Sequence, residues 1–251
     1  MVLTQRLPDL PATASNLDER LGAGTPQEII TATLEMFAEG QVATVSSFGA
    51  NSAVLLHMIA QIDRSLPVVF LDTGKHFEET LRYRDELVAD LGLTNVHIVR
   101  PDDQRLALAD PDGTLHKVDV EACCAVRKVE PMARGVAPYS AWFTGRKRFQ
   151  AGTRASMPVF EIVETRLRVN PLAHWDADML ADYAQRHGLR ENPLVAFGYR
   201  SIGCFPCTRP SQPGEDPRAG RWAGQAKTEC GIHLGGLSNS LAAKNFRDRN
   251  R

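Results

Sequence analysis

The chain has 251 residues, 43% of them hydrophobic, and a formal net charge of -1 at pH 7. That is enough apolar material for a full core without covalent staples, and the near-neutral balance argues against a broad nucleic-acid or membrane surface. No repeat, low-complexity linker or long apolar run divides it, and it opens without a charged and then apolar leader, so a reduced, cytoplasmic home is expected.

Residues 1–25 are rich in Pro, Ala, Thr and Gly and read as a loosely packed segment. A helical face follows, with Ile30, Leu34 and Phe37 at i, i+4 and i+7, widened by Ile29 and Met36. Val42–Val45 reads as a short buried strand, 46–52 as a turn and 53–61 as an apolar helix. Val68–Leu71 is a second strand ended by Asp72-Thr73-Gly74, 77–91 an amphipathic helix with an acidic first turn, and Val96–Val99 a third strand. Further on, 142–144 and 159–162 are strands, 176–187 is a helix capped by Gly188, and Asn170-Pro171-Leu172 and Asn192-Pro193-Leu194 are breaks. Strands alternating with helices imply an α/β fold with a parallel sheet, which binds ligands outside the carboxyl ends of its strands. One α/β domain over 26–222 is expected, followed by a mobile tail over 223–251 in which Gly231, Gly235 and Gly236 make the chain pliable.

Five cysteines carry the chemistry: the adjacent Cys123 and Cys124, then Cys204-Phe205-Pro206-Cys207, and Cys230 near the end. The C-x-x-C spacing lets two thiolates converge on one inorganic centre and the upstream pair can complete a four-thiolate set. Cys230 is left over as a nucleophile, with His233 three residues on as a cationic partner. Free cysteines also pack as small hydrophobes, so each taken singly has a purely structural reading. The turn Ser47-Phe48-Gly49-Ala50-Asn51-Ser52 joins a strand to a helix start, where unpaired N–H groups and the positive dipole end favour an anion. Basic residues gather at Arg146-Lys147-Arg148, Arg154, Arg209, Arg218 and Arg221, suggesting a small anionic ligand rather than a polymer.

The turn is similar to the pyrophosphate loop of the adenine-nucleotide alpha-hydrolase superfamily. The wider set of Leu71-Asp72-Thr73-Gly74, Cys123-Cys124 with Arg127-Lys128, Gly145-Arg146-Lys147-Arg148, Thr153-Arg154, Gly203 to Pro210, Gly220-Arg221-Trp222 and Glu229-Cys230-Gly231-Ile232-His233 resembles the assimilatory adenylylsulfate reductases, from about residue 40 to about 235. The resemblance implies a 4Fe-4S cluster on Cys123, Cys124, Cys204 and Cys207, with Cys230 as catalytic nucleophile and Lys128 between cluster and substrate. It implies Arg146, Arg154, Arg218 and Arg221 near the phosphosulfate, and Ser46, Ser47, Gly49, Asp72, Thr73 and Gly74 around the nucleotide. It implies thioredoxin, or a glutaredoxin-like protein, as reductant in sulfate assimilation and cysteine biosynthesis, an S-sulfocysteine intermediate, and no nucleic acid or membrane partner. A homo-oligomer is compatible with it.

One departure bears on the chemistry. Where pyrophosphate-loop ATP enzymes usually carry an aspartate, this turn has Asn51, so a carboxylate that would help hold magnesium is missing. That weakens an ATP-dependent tRNA-thiolating reading more than the reductase one. The nearest rival substrate is the 3'-phosphorylated nucleotide, whose reductases generally lack the two cysteine pairs. A zinc-stabilised binding module is the non-catalytic alternative, and adjacent cysteines are unusual ligands for one tetrahedral zinc.

Overall fold

The computed structural model describes residues 10–212, 214–223, 227, 229, 231 and 232. Residues 1–25 were expected to pack loosely, but from Leu10 onward they do not. Helix α1 (Leu10–Leu21) buries Ala14 and Leu17 in the main core, and the Asp18 carboxylate accepts from the Val159 and Phe160 N–H groups, at 2.6 and 3.0 Å. Helix α2 (Pro26–Met36) is started by a capping box, Thr25 with Glu28, and buries Ile29 and Ile30.

The expected alternation then follows: β1 (Val42–Val45), α3 (Ser52–Ile62), β2 (Val68–Leu71), α4 (Glu78–Leu91) and β3 (Val96–Val99). Helix α4 carries Glu78 and Glu79 in its first turn and stops at Gly92, whose φ of 63° is the left-handed C-cap geometry. Residues 100–140, left without elements in the sequence reading, hold α5 (Asp103–Ala109), α6 (Leu115–Val118), α7 (Val120–Cys124), a π-helical turn (Ala125–Val129) and α8 (Glu130–Val136). Pro131 has no N–H to give the carbonyl four residues back, which accounts for the rewound turn before α8. Strand β4 (Ala141–Thr144) follows, then a hairpin of β5 (Phe160–Val163) and β6 (Arg166–Val169) turning at Glu164, φ 58°, and finally α9 (Ala177–Arg186), capped by Asp176.

The sheet order is β3-β2-β1-β4-β6-β5, parallel throughout except for β5, which pairs antiparallel with β6 at the edge. The parallel sheet is thus as expected, with one reversed edge strand. Period-two alternation splits the core: Val42, Phe143, Leu167 and Val169 meet α1, α2, α3 and α9, whereas Ala43, Val69 and Trp142 meet Met132 and Val136 of α8 on the other face. Each large side chain so buried contributes about 1.5–3 kcal/mol. No helix among the described residues is long and apolar enough to cross a membrane.

Candidate functional site

Successive strands leave β1 toward β2 and β3 on one side and continue from β4 to β6 on the other. The carboxyl ends of β1 and β4 therefore flank a switch-point crevice, where open α/β sheets bind ligands. It is lined by Ser46, Ser47 and Gly49 after β1, by Thr144, Gly145, Arg146 and Lys147 after β4, and by Thr73, Lys128, Arg154, Arg218 and Arg221. Asp72 and Gly74, expected at the nucleotide, are not among its lining residues. Asp72 accepts from the Gly74 N–H and pairs with Arg100 at 3.1 Å, so these two shape the loop that carries Thr73. Cys230 and His233 lie outside the described residues, but their neighbours Glu229 and Ile232 line the crevice.

The β1 turn owes its shape to Phe48 rather than to Gly49. Phe48 has φ 47°, a left-handed conformation that costs a bulky residue about 1–3 kcal/mol. Its ring is fully buried edge-on to Phe70, its N–H donates to Ser46 Oγ, and its carbonyl accepts from Asn192 Nδ2 at 3.1 Å. The supposed break at Asn192 is thus a brace for the turn. Asn51 at the start of α3 makes no side-chain cap bond, leaving the helix's positive end for an anion.

The predicted arginines divide. Arg146 is bonded to Glu161, which also takes a two-pronged bond from Arg168 at 2.8 and 2.7 Å and one from Asn170 Nδ2 at 2.7 Å. Burial and then the Arg168 charge pull the Arg146 guanidinium down to about 10, still charged at neutral pH. Arg154, 5% exposed, forks onto Glu229 at 2.7 and 2.9 Å, and Arg218 reaches the same carboxylate at 3.2 Å. Arg221 has no carboxylate partner among the described residues: it donates to the Ile202 carbonyl, stacks 4.5 Å over Trp222, and its buried Nε is unbonded. It crosses Gly203 so closely that a Cβ there would fall 2.2 Å from its guanidinium, which would have to shift.

The two cysteine pairs, 80 residues apart, meet beside the crevice. Cys123 and Cys124 end α7, and Cys204 and Cys207 bracket a 3-10 turn whose Phe205 N–H bonds the Lys75 carbonyl. Arg127 ties the π-helical turn to the β2 loop by bonding both Asp110 and the Thr73 carbonyl, and Thr73 Oγ1 lies 3.3 Å from Cys204 Sγ. Burial, reinforced by neighbouring Cys124, pushes the Cys123 thiol up to about 12. Burial acts on Cys204 the same way, but Lys128, which bonds it, together with Thr73 and Arg221, brings its thiol below the usual range. Lys128 thereby touches both crevice and cysteine site. None of the four is held in a disulfide. Among the described residues no group of three or more His, Cys, Asp or Glu is closed enough to hold a metal ion. In number and chemistry the donors still suit a four-thiolate centre: soft, converging, and beside a fixed cation.

A three-layer α/β protein with a cation-lined crevice at the switch point and thiols alongside is the class that fold and site define. A match to the phosphoadenosine phosphosulfate reductase domain over residues 41–210 narrows it, and the chain belongs to that family. It is 66% identical over 230 residues to an adenosine 5'-phosphosulfate reductase of Mesorhizobium japonicum, covering 92% of this chain and 91% of the relative. It is 60% identical to one of a Chelativorans species, covering 91% and 94%. A phosphoadenylyl-sulfate reductase from Candida auris, solved with phosphate, shares the fold at TM-score 0.67 and 26% identity, over 78% of this chain and 96% of that one.

Proposed function

We propose that this chain reduces adenosine 5'-phosphosulfate (adenylylsulfate) to sulfite and AMP. The observation that carries the reading is a cation-lined switch-point crevice beside four gathered thiols, in a chain 66% identical to a reductase of that nucleotide. The nucleotide's anionic end binds against the start of α3, Lys128 and Arg221. The Cys230 thiolate attacks the sulfate sulfur, a sulfur–sulfur bond forms, and the bond to the phosphate oxygen breaks with its electron pair leaving on AMP. A thiolate of a thioredoxin-like protein then attacks Cys230 Sγ, sulfite departs with the bonding pair, and the partner's second thiol resolves the mixed disulfide. Two thiols are oxidised and one sulfur is reduced by two electrons. Cys123, Cys124, Cys204 and Cys207 would hold a 4Fe-4S cluster, which when bound supplies a polarising charge next to Lys128. A chemistry that needs free thiols suits a reducing compartment such as the cytoplasm.

Mixing anaerobically purified protein with adenylylsulfate, without reductant, tests this. One burst of AMP is expected, with a sulfonate mass on the peptide containing Cys230, and sulfite should appear on adding thioredoxin. Absence of the burst with adenylylsulfate but not with its 3'-phosphorylated form would transfer the assignment to that substrate. An adduct on any other cysteine would overturn the mechanism.

A further inference from the structure

The end of β4 carries a cation that the reading above does not use. Lys147 lines the crevice and is 3% exposed. Its basic neighbours are all engaged: Arg146 and Arg168 with Glu161, Arg154 and Arg218 with Glu229, and Arg148 with the Met157 carbonyl and His174 Nδ1. No carboxylate or other acceptor bonds the Lys147 ammonium among the described residues. Its backbone is anchored, the N–H donating to Gln150 Oε1 at 3.3 Å and the carbonyl accepting from the Gln150 N–H at 3.4 Å, and Gln150 Oε1 also accepts from Arg154 Nη1 at 2.9 Å. Two carboxylates thus answer four guanidinium groups along this wall, a carbonyl and a histidine hold Arg148, and Lys147 is left over. A buried ammonium without a counter-charge is costly, and the group relieves that cost by shedding its proton. Burial, and then the field of Arg154, pull the Lys147 ammonium down to about 7.

We propose that Lys147 is a proton-linked counter-ion for the anionic end of the nucleotide, taking up a proton as the phosphate or phosphosulfate enters the crevice and releasing it as the product leaves. The proposal rests on the nucleotide reading above and adds to it a residue and a pH dependence. The sign follows from linkage: the free lysine is largely neutral above pH 7, and a bound dianion favours the ammonium. Nucleotide affinity therefore falls as pH rises above 7, by up to about tenfold per unit.

Calorimetric titration of the full chain with AMP, in buffers of differing ionisation enthalpy, measures the protons exchanged. Uptake of roughly three-quarters of a proton at pH 7.5, and nearly a whole proton at pH 8.5, is expected for a group titrating near 7, both pH values lying above the second pKa of the AMP phosphate, about 6. Adenosine, which has no phosphate, should bind without uptake. Lys147→Met should abolish the uptake and weaken AMP about tenfold or more. Lys147→Arg keeps the charge, and should retain AMP binding while losing the uptake, which a merely structural role would leave in place. Wild-type uptake in both variants would overturn the proposal alone. Failure of the wild-type chain to bind AMP at all would sink the nucleotide reading.

Discussion

The wall built on β4, β5 and β6 and the corner built on the cysteines are both rich in charge, yet they are finished to different degrees. In the wall, Glu161 answers Arg146 and Arg168 within one network that includes Asn170, itself bonded to Thr144 Oγ1 at 2.6 Å. These bonds are made by the chain for itself, on regular strands, with Lys147 at the end of β4 as the exception. The corner is assembled instead from a π-helical turn, a 3-10 turn and the β2 loop, and its thiols are gathered without forming a closed metal-binding group among the described residues. A region that completes its own electrostatics stabilises the fold, whereas one left electrostatically incomplete waits for a group from outside. Lys147 aside, substitutions in the wall should therefore be read in stability, and substitutions in the corner in what is bound.

The sharpest break of this comparison is Cys204→Ser. If the corner holds a cluster, the anaerobically purified variant should lose iron, sulfide and visible absorbance entirely, together with activity, while Cys230→Ser keeps the colour. Stoichiometric zinc and no iron in the wild type would return the corner to the binding-module reading.

In the wall, Glu161→Ala leaves two guanidinium groups without their carboxylate. Breaking a buried pair from one side costs about 3–5 kcal/mol, so the melting temperature should drop by roughly 6–20 °C in a chain of this size. Burial alone would raise the Glu161 pKa, but the bond and charge of Arg168, with Arg146, hold it below the ordinary carboxylate range. Its contribution is present above the unfolded carboxylate's pKa and lost as pH falls through the lower folded value. Thermal melts below pH 5 should accordingly show the variant less acid-sensitive than the parent.

What could be read from sequence follows the same division. The strands β1, β2 and β3 were legible because they are short, nearly continuous apolar runs between turn residues. Strand β6 was not, because Arg166 and Arg168 alternate with Leu167 and Val169, and only the contact with Glu161 makes burial of Arg168 tolerable. Helix α1 hid behind a composition of Pro, Ala and Thr, since its two core residues, Ala14 and Leu17, form too narrow a stripe to register. At the site, residue types and spacings picked out the cysteines and arginines. They could not show that Arg146 meets a carboxylate 15 residues away and Arg154 one 75 residues away, leaving the Lys147 ammonium without an acceptor among the described residues. Nor could they show that the strained residue of the β1 turn is Phe48.

A crossed pair of substitutions sharpens the contrast. Arg221→Ala removes a cation that has no carboxylate partner among the described residues, and charge-assisted bonds to phosphate are worth about 1.5–3 kcal/mol. AMP affinity should fall roughly tenfold or more, with a small change in melting temperature. Arg146→Ala should do the reverse, lowering the melting temperature with less effect on AMP. If both variants moved both readouts equally, the division into self-completed wall and open corner would be wrong.

The smallest expected effect lies where the two kinds of readout oppose each other in one residue. Asn51 stands at the start of α3 without a side-chain cap bond, facing the crevice. Asn51→Asp places a negative charge at the positive end of the helix, which stabilises by about 0.3–1 kcal/mol, or roughly 1–4 °C of melting temperature. The same carboxylate repels the anion that the helix start is proposed to hold. At an effective dielectric between those of protein surface and water, that repulsion is on the order of 1 kcal/mol, so AMP should bind about fivefold more weakly. Because the repulsion is partly screened, the penalty should shrink as salt is raised from about 0.01 M to 1 M. A more stable variant with weaker, salt-dependent AMP binding would locate the anion at the α3 start. Unchanged AMP affinity at low salt would move it away from that helix, toward the β4 side of the crevice, where Lys147 would have to hold it with less help.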